Sequence, residues 1–276
     1  MKELIQKFYR LFPNTIHKEK NYYTFFDQGS LYYFYEIEED TNLSFAYSIS
    51  IYYPQFYSFV RNVNQMIITR DSNHSYVLLR DKGISFTQFL SYPIFHHYIT
   101  LKWKELWIKR CDSILFNYPN IKGNSLMIDE SIDYYIGLLE LSISIIGNHS
   151  KNYYSSYLGH IQFDKNEYYN PFNVKEDVCE RDFGEYLKYL FLVGNYSKQE
   201  LSLLIKENSS FYQYQLVLAR VLYPNYYFDL VDQILYQHYD DSILKNIIER
   251  VMEFQDYVLF LQEEFSKYEE IKKIVF

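Results

Sequence analysis

The chain has 276 residues, of which 48% are hydrophobic, and 27 Lys and Arg against 35 Asp and Glu give it a formal charge of −8. That length suits one large domain or two lobes with a sizeable core, and the acidity gives no reason to expect a nucleic acid as partner. Aromatic residues reach 21%, with 33 Tyr and 22 Phe beside only 8 Gly and 6 Pro, which excludes a disordered low-complexity chain.

Leu4, Ile5, Phe8 and Leu11–Phe12 share one helical face, and Pro13-Asn14 ends that helix. Tyr22–Phe26 and Leu31–Tyr35 flank Asp27-Gln28-Gly29-Ser30 and read as a β-hairpin. Leu43–Ile51 fits a strand or a helix. Phe56, Phe59, Val60 and Val63 have helical spacing, so a helix is expected over Gln55–Met66. Met66–Thr69 and Tyr76–Leu79 form a second hairpin around Asp71-Ser72-Asn73-His74.

From Ile84 the pattern turns helical. One helix begins at Ser85–Leu90, and another spans Leu101–Phe116 with Trp103 and Trp107 four apart. Ile132, Ile136, Leu139, Ile143 and Ile146 form the stripe of a buried helix, with Asp129 as expected N-cap and Gly147 as stop. Further helices are expected over Phe183–Phe191, Lys198–Leu204, Tyr212–Leu222 and, past Pro224, Phe228–Leu235. A single last helix is expected over Ile243–Ile274. The expected class is α+β, with a strand-rich lobe over residues 1–81 and a helical lobe over 82–276.

Cys111 and Cys179 are isolated, without Cys-x-x-Cys or a His pair at metal spacing, which fits a reduced, cytoplasmic protein. The N-terminus lacks the apolar core of a signal peptide. No apolar run reaches the roughly 18–20 residues of a membrane span. Tyr in such number reads either as residues placed at the core boundary or as an adhesive, cross-linkable surface.

The stretch from Tyr157 to Leu192 resembles the catalytic segment of aminoglycoside phosphotransferases and choline kinases, which share the bilobal protein-kinase-like fold. His160-Ile161-Gln162 stands where that superfamily has His-Gly-Asp, and Asp182-Phe183-Gly184-Glu185-Tyr186 opens a helix as its Asp-Leu-Ala does. Three segments, 131–146, 174–191 and 216–235, are similar in order and spacing to the spore-coat-associated branch of the superfamily, a Firmicutes group.

The resemblance implies a strand-rich N-terminal lobe, a helical C-terminal lobe and a degenerate site. Phosphoryl transfer needs a phosphate-binding turn, a cation, magnesium ligands and a carboxylate for the acceptor. Gln162 cannot ionise, and Glu36, Glu38, Glu39 and Asp40 occupy the strand end where a Lys is required. Two registers remain open for the magnesium ligand. One places Asn170 there; the other uses Asp177, with Asp164 as a displaced carboxylate. His160, Gln162, Asp164 and Asn170 are thus the candidate catalytic positions and Asp164 and Asp177 the candidate metal ligands. Asp182 is read as a structural N-cap, and Arg181 as half of a surface ion pair. His96-His97 are adjacent and make a poor chelate.

The expected function is a non-catalytic kinase-fold protein acting through protein contacts, with spore-coat components as partners. It would be cytoplasmic or incorporated into a spore coat, without a membrane span and without a cofactor. The alternative is a phosphotransferase using ATP and magnesium on a small molecule or a protein. An interlobe cleft of neutral-to-negative potential, narrowed by Tyr168, Tyr169 and Phe172, accompanies the first reading.

Overall fold

The computed structural model describes residues 1–19, 22–38, 42–72, 74–83, 93–123, 125–147, 153–163, 170–271, 273–274 and 276, with the side chains of Phe95 and His96 left aside. The chain divides into two compact units. The first comprises Met1–Gln88 and His160–Lys175, the second Phe89–Gly159 and Glu176–Phe276.

In the first unit, helix α1 (Lys2–Tyr9) buries Ile5 and Tyr9, four residues apart on one face. Strands β1 (His17–Lys18), β2 (Tyr22–Asp27) and β3 (Ser30–Ile37) follow. Gln28 and Gly29 both adopt positive φ, 48° and 75°, which gives a two-residue hairpin turn the twist its strands require. Next come α2 (Leu43–Tyr52), β4 (Tyr57–Val60), β5 (Ile68–Asp71) and β6 (His74–Asp81). The sheet order is β1-β2-β3-β6-β4, with β5 also paired to β6.

The stretch that fits strand or helix is helical because Asn42 caps it, its Oδ1 accepting from Phe45 N at 3.3 Å. The helix expected over Gln55–Met66 is not there. Tyr57–Val60 instead pairs antiparallel with β6, setting Phe59 opposite Leu79. Buried Asn62 then turns the chain, its Oδ1 accepting from Asn64 N and Met66 N at 2.9 and 3.1 Å. Cross-strand pairing overrides the apolar spacing here.

Between α1 and the sheet lie Phe25, Tyr32, Phe34, Tyr76 and Leu78. Phe25 stacks on Tyr32 at 5.2 Å and Phe34 on Tyr76 at 5.0 Å, pairs each contributing about 0.5–1.5 kcal/mol beyond their burial.

In the second unit, β7 (Pro93–Ile99) pairs antiparallel with β8 (Tyr154–His160), and β9 (Val174–Asp177) completes a three-stranded sheet in the order β7-β8-β9. The unit boundaries fall within β8 and β9. The helices are α3 (Trp103–Ile121), α4 (Leu126–Ile146), α5 (Glu180–Val193), α6 (Lys198–Glu207), α7 (Tyr214–Leu222), α8 (Asn225–Gln237), α9 (Lys245–Glu249) and α10 (Val251–Phe265). Helix α7 is buried along its whole length and packs against α4, α5 and α10. Each large apolar side chain so buried stabilises the fold by about 1.5–3 kcal/mol.

Helix α4 is capped by Ser125, whose Oγ accepts from Ile128 N at 3.3 Å, and not by Asp129. Asp129 instead accepts from Gly123 N at 2.9 Å, while Gly147 does end the helix. The single helix expected over Ile243–Ile274 is broken into a 3₁₀ turn (Asp241–Leu244), α9 and α10. At the break, Arg250 donates to the carbonyls of Phe191 and Leu192 at 2.9 and 3.1 Å, and its guanidinium lies 4.3 Å from the Phe191 ring centroid. The apolar stripe continues across this break, so the sequence pattern hides it. The helix expected at Ser85–Leu90 lies outside the described residues. Among the described residues, no helix is long and apolar enough to cross a membrane.

Candidate functional site

Strand β8 ends at buried His160, whose ring meets Phe163 edge-on at 5.5 Å. Asn173 bonds both of the next two residues. Ile161 N donates to Asn173 O at 2.7 Å, Gln162 N to Asn173 Oδ1 at 2.8 Å, and Asn173 Nδ2 donates to Gln162 O at 2.7 Å. Sequence reasoning missed Asn173. Its signal was weak, one Asn among several in a polar loop.

Asn170 has a local role. Its Oδ1 accepts from Phe172 N at 2.9 Å and caps the 3₁₀ turn Pro171–Asn173. Phe172 meets the Tyr35 ring edge-on at 5.0 Å within the same unit. Asp164, Tyr168 and Tyr169 lie outside the described residues. Glu36 is paired with His74 Nδ1, while Glu39 and Asp40 are also outside the described residues.

Asp177 belongs to the second unit and is buried. Its Oδ1 accepts from Trp103 Nε1 and from Val178 N, both at 2.9 Å, and its Oδ2 faces Arg181 Nη1 at 3.4 Å. Structural donors therefore already occupy both oxygens of this candidate metal ligand. Arg181 is 6% exposed, so the surface ion pair expected of it is a buried one. Burial lowers its pKa, Arg220 adds to that, and Asp177 opposes it.

Asp182 is not the N-cap of α5. Cys179 holds that position, and Asp182 sits in the first turn, 1% exposed. A Cβ at Gly159 would come 3.2 Å from Asp182 Oδ1, so the bare glycine backbone of β8 is what admits the carboxylate. His97 is paired with Glu176, which also accepts from Ser156 Oγ. Among the described residues, no cluster of three or more His, Cys, Asp or Glu is arranged to hold a metal.

Beneath Arg181 lies a charge network that sequence reasoning did not find. Glu185 Oε1 is 3.0 Å from Lys188 Nζ and 2.5 Å from Arg220 Nε. Lys188 also donates to Tyr223 O at 2.8 Å and to Asn225 Oδ1 at 2.7 Å. The Arg220 guanidinium lies 5.3–5.8 Å from the rings of Trp103, Trp107 and Tyr223. Desolvation pushes Glu185 up, but Arg220, Lys188 and Arg181 together outweigh it and hold the carboxyl at about 2. Desolvation brings Lys188 down to about 8 against the pull of Glu185. A signal for this cluster was present: Arg220 is the one charge in the apolar run Leu216–Leu222, and a buried charge needs a partner.

The family described as "Spore coat putative kinase YutH" matches residues 85–263. The chain belongs to that family. The matched span takes in His160–Gln162, Asn173, Asp177, Asp182 and the Glu185–Lys188–Arg220 cluster.

The chain is also similar to the crystal structure of an aminoglycoside phosphotransferase from Alicyclobacillus acidocaldarius subsp. acidocaldarius DSM 446. The TM-score is 0.66 at 10% identity, covering 97% of this chain and 96% of that one. Spectinomycin phosphotransferase APH(9)-Ia in complex with ADP and spectinomycin gives a TM-score of 0.56 at 9% identity, covering 95% and 97%. These likenesses establish the α+β, kinase-like fold of the aminoglycoside phosphotransferases for this member of the spore coat kinase family. A search of the curated proteins finds no match.

Proposed function

We propose that this chain is a non-catalytic member of the spore coat kinase family that acts through protein contacts, with spore-coat components as partners. The observation that carries the reading is Asn173. Its amide is committed to both backbone groups of Gln162, so the turn in the His-Gly-Asp position is closed by one neutral side chain, Asn173, and carries another, Gln162, at its third position. Neither can supply a carboxylate for an acceptor or for magnesium. Asp177, the remaining described candidate, is engaged by Trp103, Val178 and Arg181.

The alternative, a phosphotransferase using ATP and magnesium, draws on the word kinase in the family description and on the ADP bound to the spectinomycin enzyme. In that reading Asp164 and Asp177 carry the metal. Fold alone does not decide between the two, because function resides in the site. Thermal melts with and without ATP and magnesium, followed by titration calorimetry, separate them. The proposed reading expects an unchanged melting temperature and no heat of binding. A magnesium-dependent rise with nucleotide would favour the alternative.

A further inference from the structure

The first unit has a groove of about 650 Å³ at the turn that follows β4, lined by Phe8 of α1, Arg61, Met66, Ile67, Ile68 and Arg70 among others. The turn is fixed from several sides before any ligand arrives. Asn62 N donates to Met66 O and Val63 N to Phe8 O, both at 2.8 Å, and Asn62 Nδ2 donates to Thr69 Oγ1 at 3.0 Å. Arg61 Nη1 donates to Gln65 O at 2.8 Å, which sets the guanidinium in place and leaves its other N–H groups to a ligand.

The chain carries a formal charge of −8, yet no carboxylate lines this groove. Among the described residues, neither Arg61 nor Arg70 is ion-paired. Lys7 adds a third cation, its Nζ 4.9 Å from the centroid of the Phe8 ring. Guanidinium groups suit planar carboxylates, which they bind with two parallel hydrogen bonds. Beside them, Met66 is 54% exposed and forms an apolar wall with Phe8, Ile67 and Ile68. A lone inorganic anion would leave that wall uncovered. We infer that the groove docks an acidic segment of a partner protein, with its carboxylates on Arg61 and Arg70 and an apolar side chain against Met66 and Phe8. The inference rests on the proposed action through protein contacts and gives the partner its chemistry.

The test is calorimetric titration of the full chain with the peptide acetyl-Glu-Asp-Leu-Phe-Glu-Glu-amide, for which a Kd of about 1 mM or tighter is expected. Two controls, the uncharged acetyl-Gln-Asn-Leu-Phe-Gln-Gln-amide and acetyl-Glu-Asp-Ser-Ser-Glu-Glu-amide without apolar side chains, should each bind at least about fivefold more weakly. Arg70→Gln, at an exposed position, should weaken the first peptide by about fivefold or more with the melting temperature unchanged. Lys109→Gln, an exposed cation of α3 in the second unit, should leave its affinity unaltered. Absence of binding overturns the inference, as does equal binding of either control peptide or an equal loss in Lys109→Gln. Displacement of the peptide by an equal concentration of inorganic phosphate would show a simple anion site and overturn it too. Should Arg70→Gln not fold, Met66→Glu, which sets a carboxylate in the groove, decides by abolishing binding or leaving it intact. Failure of peptide binding would leave the Asn173 clamp and the non-catalytic reading standing, whereas ATP turnover would remove that reading and leave the peptide measurements as they are.

Discussion

Asn173 grips Gln162 by both of its backbone groups, accepting from the N–H at 2.8 Å and donating to the carbonyl at 2.7 Å. An aspartate in the same place could accept but not donate, and would set a negative charge against the Gln162 carbonyl. The amide at 173 therefore suits a turn held shut by its own side chain. Asn173→Asp should lower stability by about 1–3 kcal/mol in urea denaturation, and Asn173→Leu by at least as much. A neutral effect of both would show that the clamp contributes nothing.

The Glu185 cluster sets a pH dependence. The folded carboxyl titrates at about 2, below its ordinary 4.5, so its stabilisation is complete above pH 4.5 and is lost as the pH falls towards 2. Lys188 runs the other way. Its folded value of about 8 lies below the ordinary 10.5, so the unfolded chain binds more protons between these values, and this group makes stability rise with pH across that window. Denaturation midpoints measured from pH 2 to 10.5 check both limbs. Glu185→Gln should cost about 3–5 kcal/mol at neutral pH, because it strands the Lys188 and Arg220 charges, and should flatten the acid limb.

Two glycines in helices should respond in opposite directions. A Cβ at Gly184 would meet Arg220 Cβ at 2.7 Å and Val217 O at 3.1 Å, because α5 and α7 touch there backbone to side chain. Gly184→Ala should destabilise by about 1–3 kcal/mol. Gly137 lies inside α4 with nothing within 4 Å, so Gly137→Ala should stabilise by about 0.5–1 kcal/mol. Thermal melts of the two variants side by side make the comparison.

Trp103 ties α3 to Asp177 through one indole hydrogen bond. Trp103→Phe keeps an aromatic side chain but removes the indole N–H and part of its buried volume, leaving a buried carboxylate short of a donor, at a cost of at least about 1–3 kcal/mol. A parallel loss in Asp177→Asn, non-additive with Trp103→Phe in a double-mutant cycle, would show that the two act as a pair.

Much of the fold was legible in local pattern. The aromatic hairpin around Gly29, the stripe of α4 and the helices α5 to α8 follow from periodicity and turn residues. The elements that were misread depend on distant partners. Tyr57–Val60 is a strand because β6 is there to pair with it, and the α9–α10 break exists because Arg250 reaches the end of α5. The site was legible only in part. His160 and Gln162 were named as candidates through family resemblance, whereas Asn173 and Lys188 make contacts 11 and 37 residues away in the chain, to Gln162 and Asn225.

The central claim, that the fold is retained without phosphoryl transfer, is tested most directly by following ATP consumption with magnesium and aminoglycoside, choline or homoserine as acceptor. The account predicts no turnover above the protein-free blank with any of them. Turnover that is abolished by Asp164→Asn and by Asp177→Asn would contradict it.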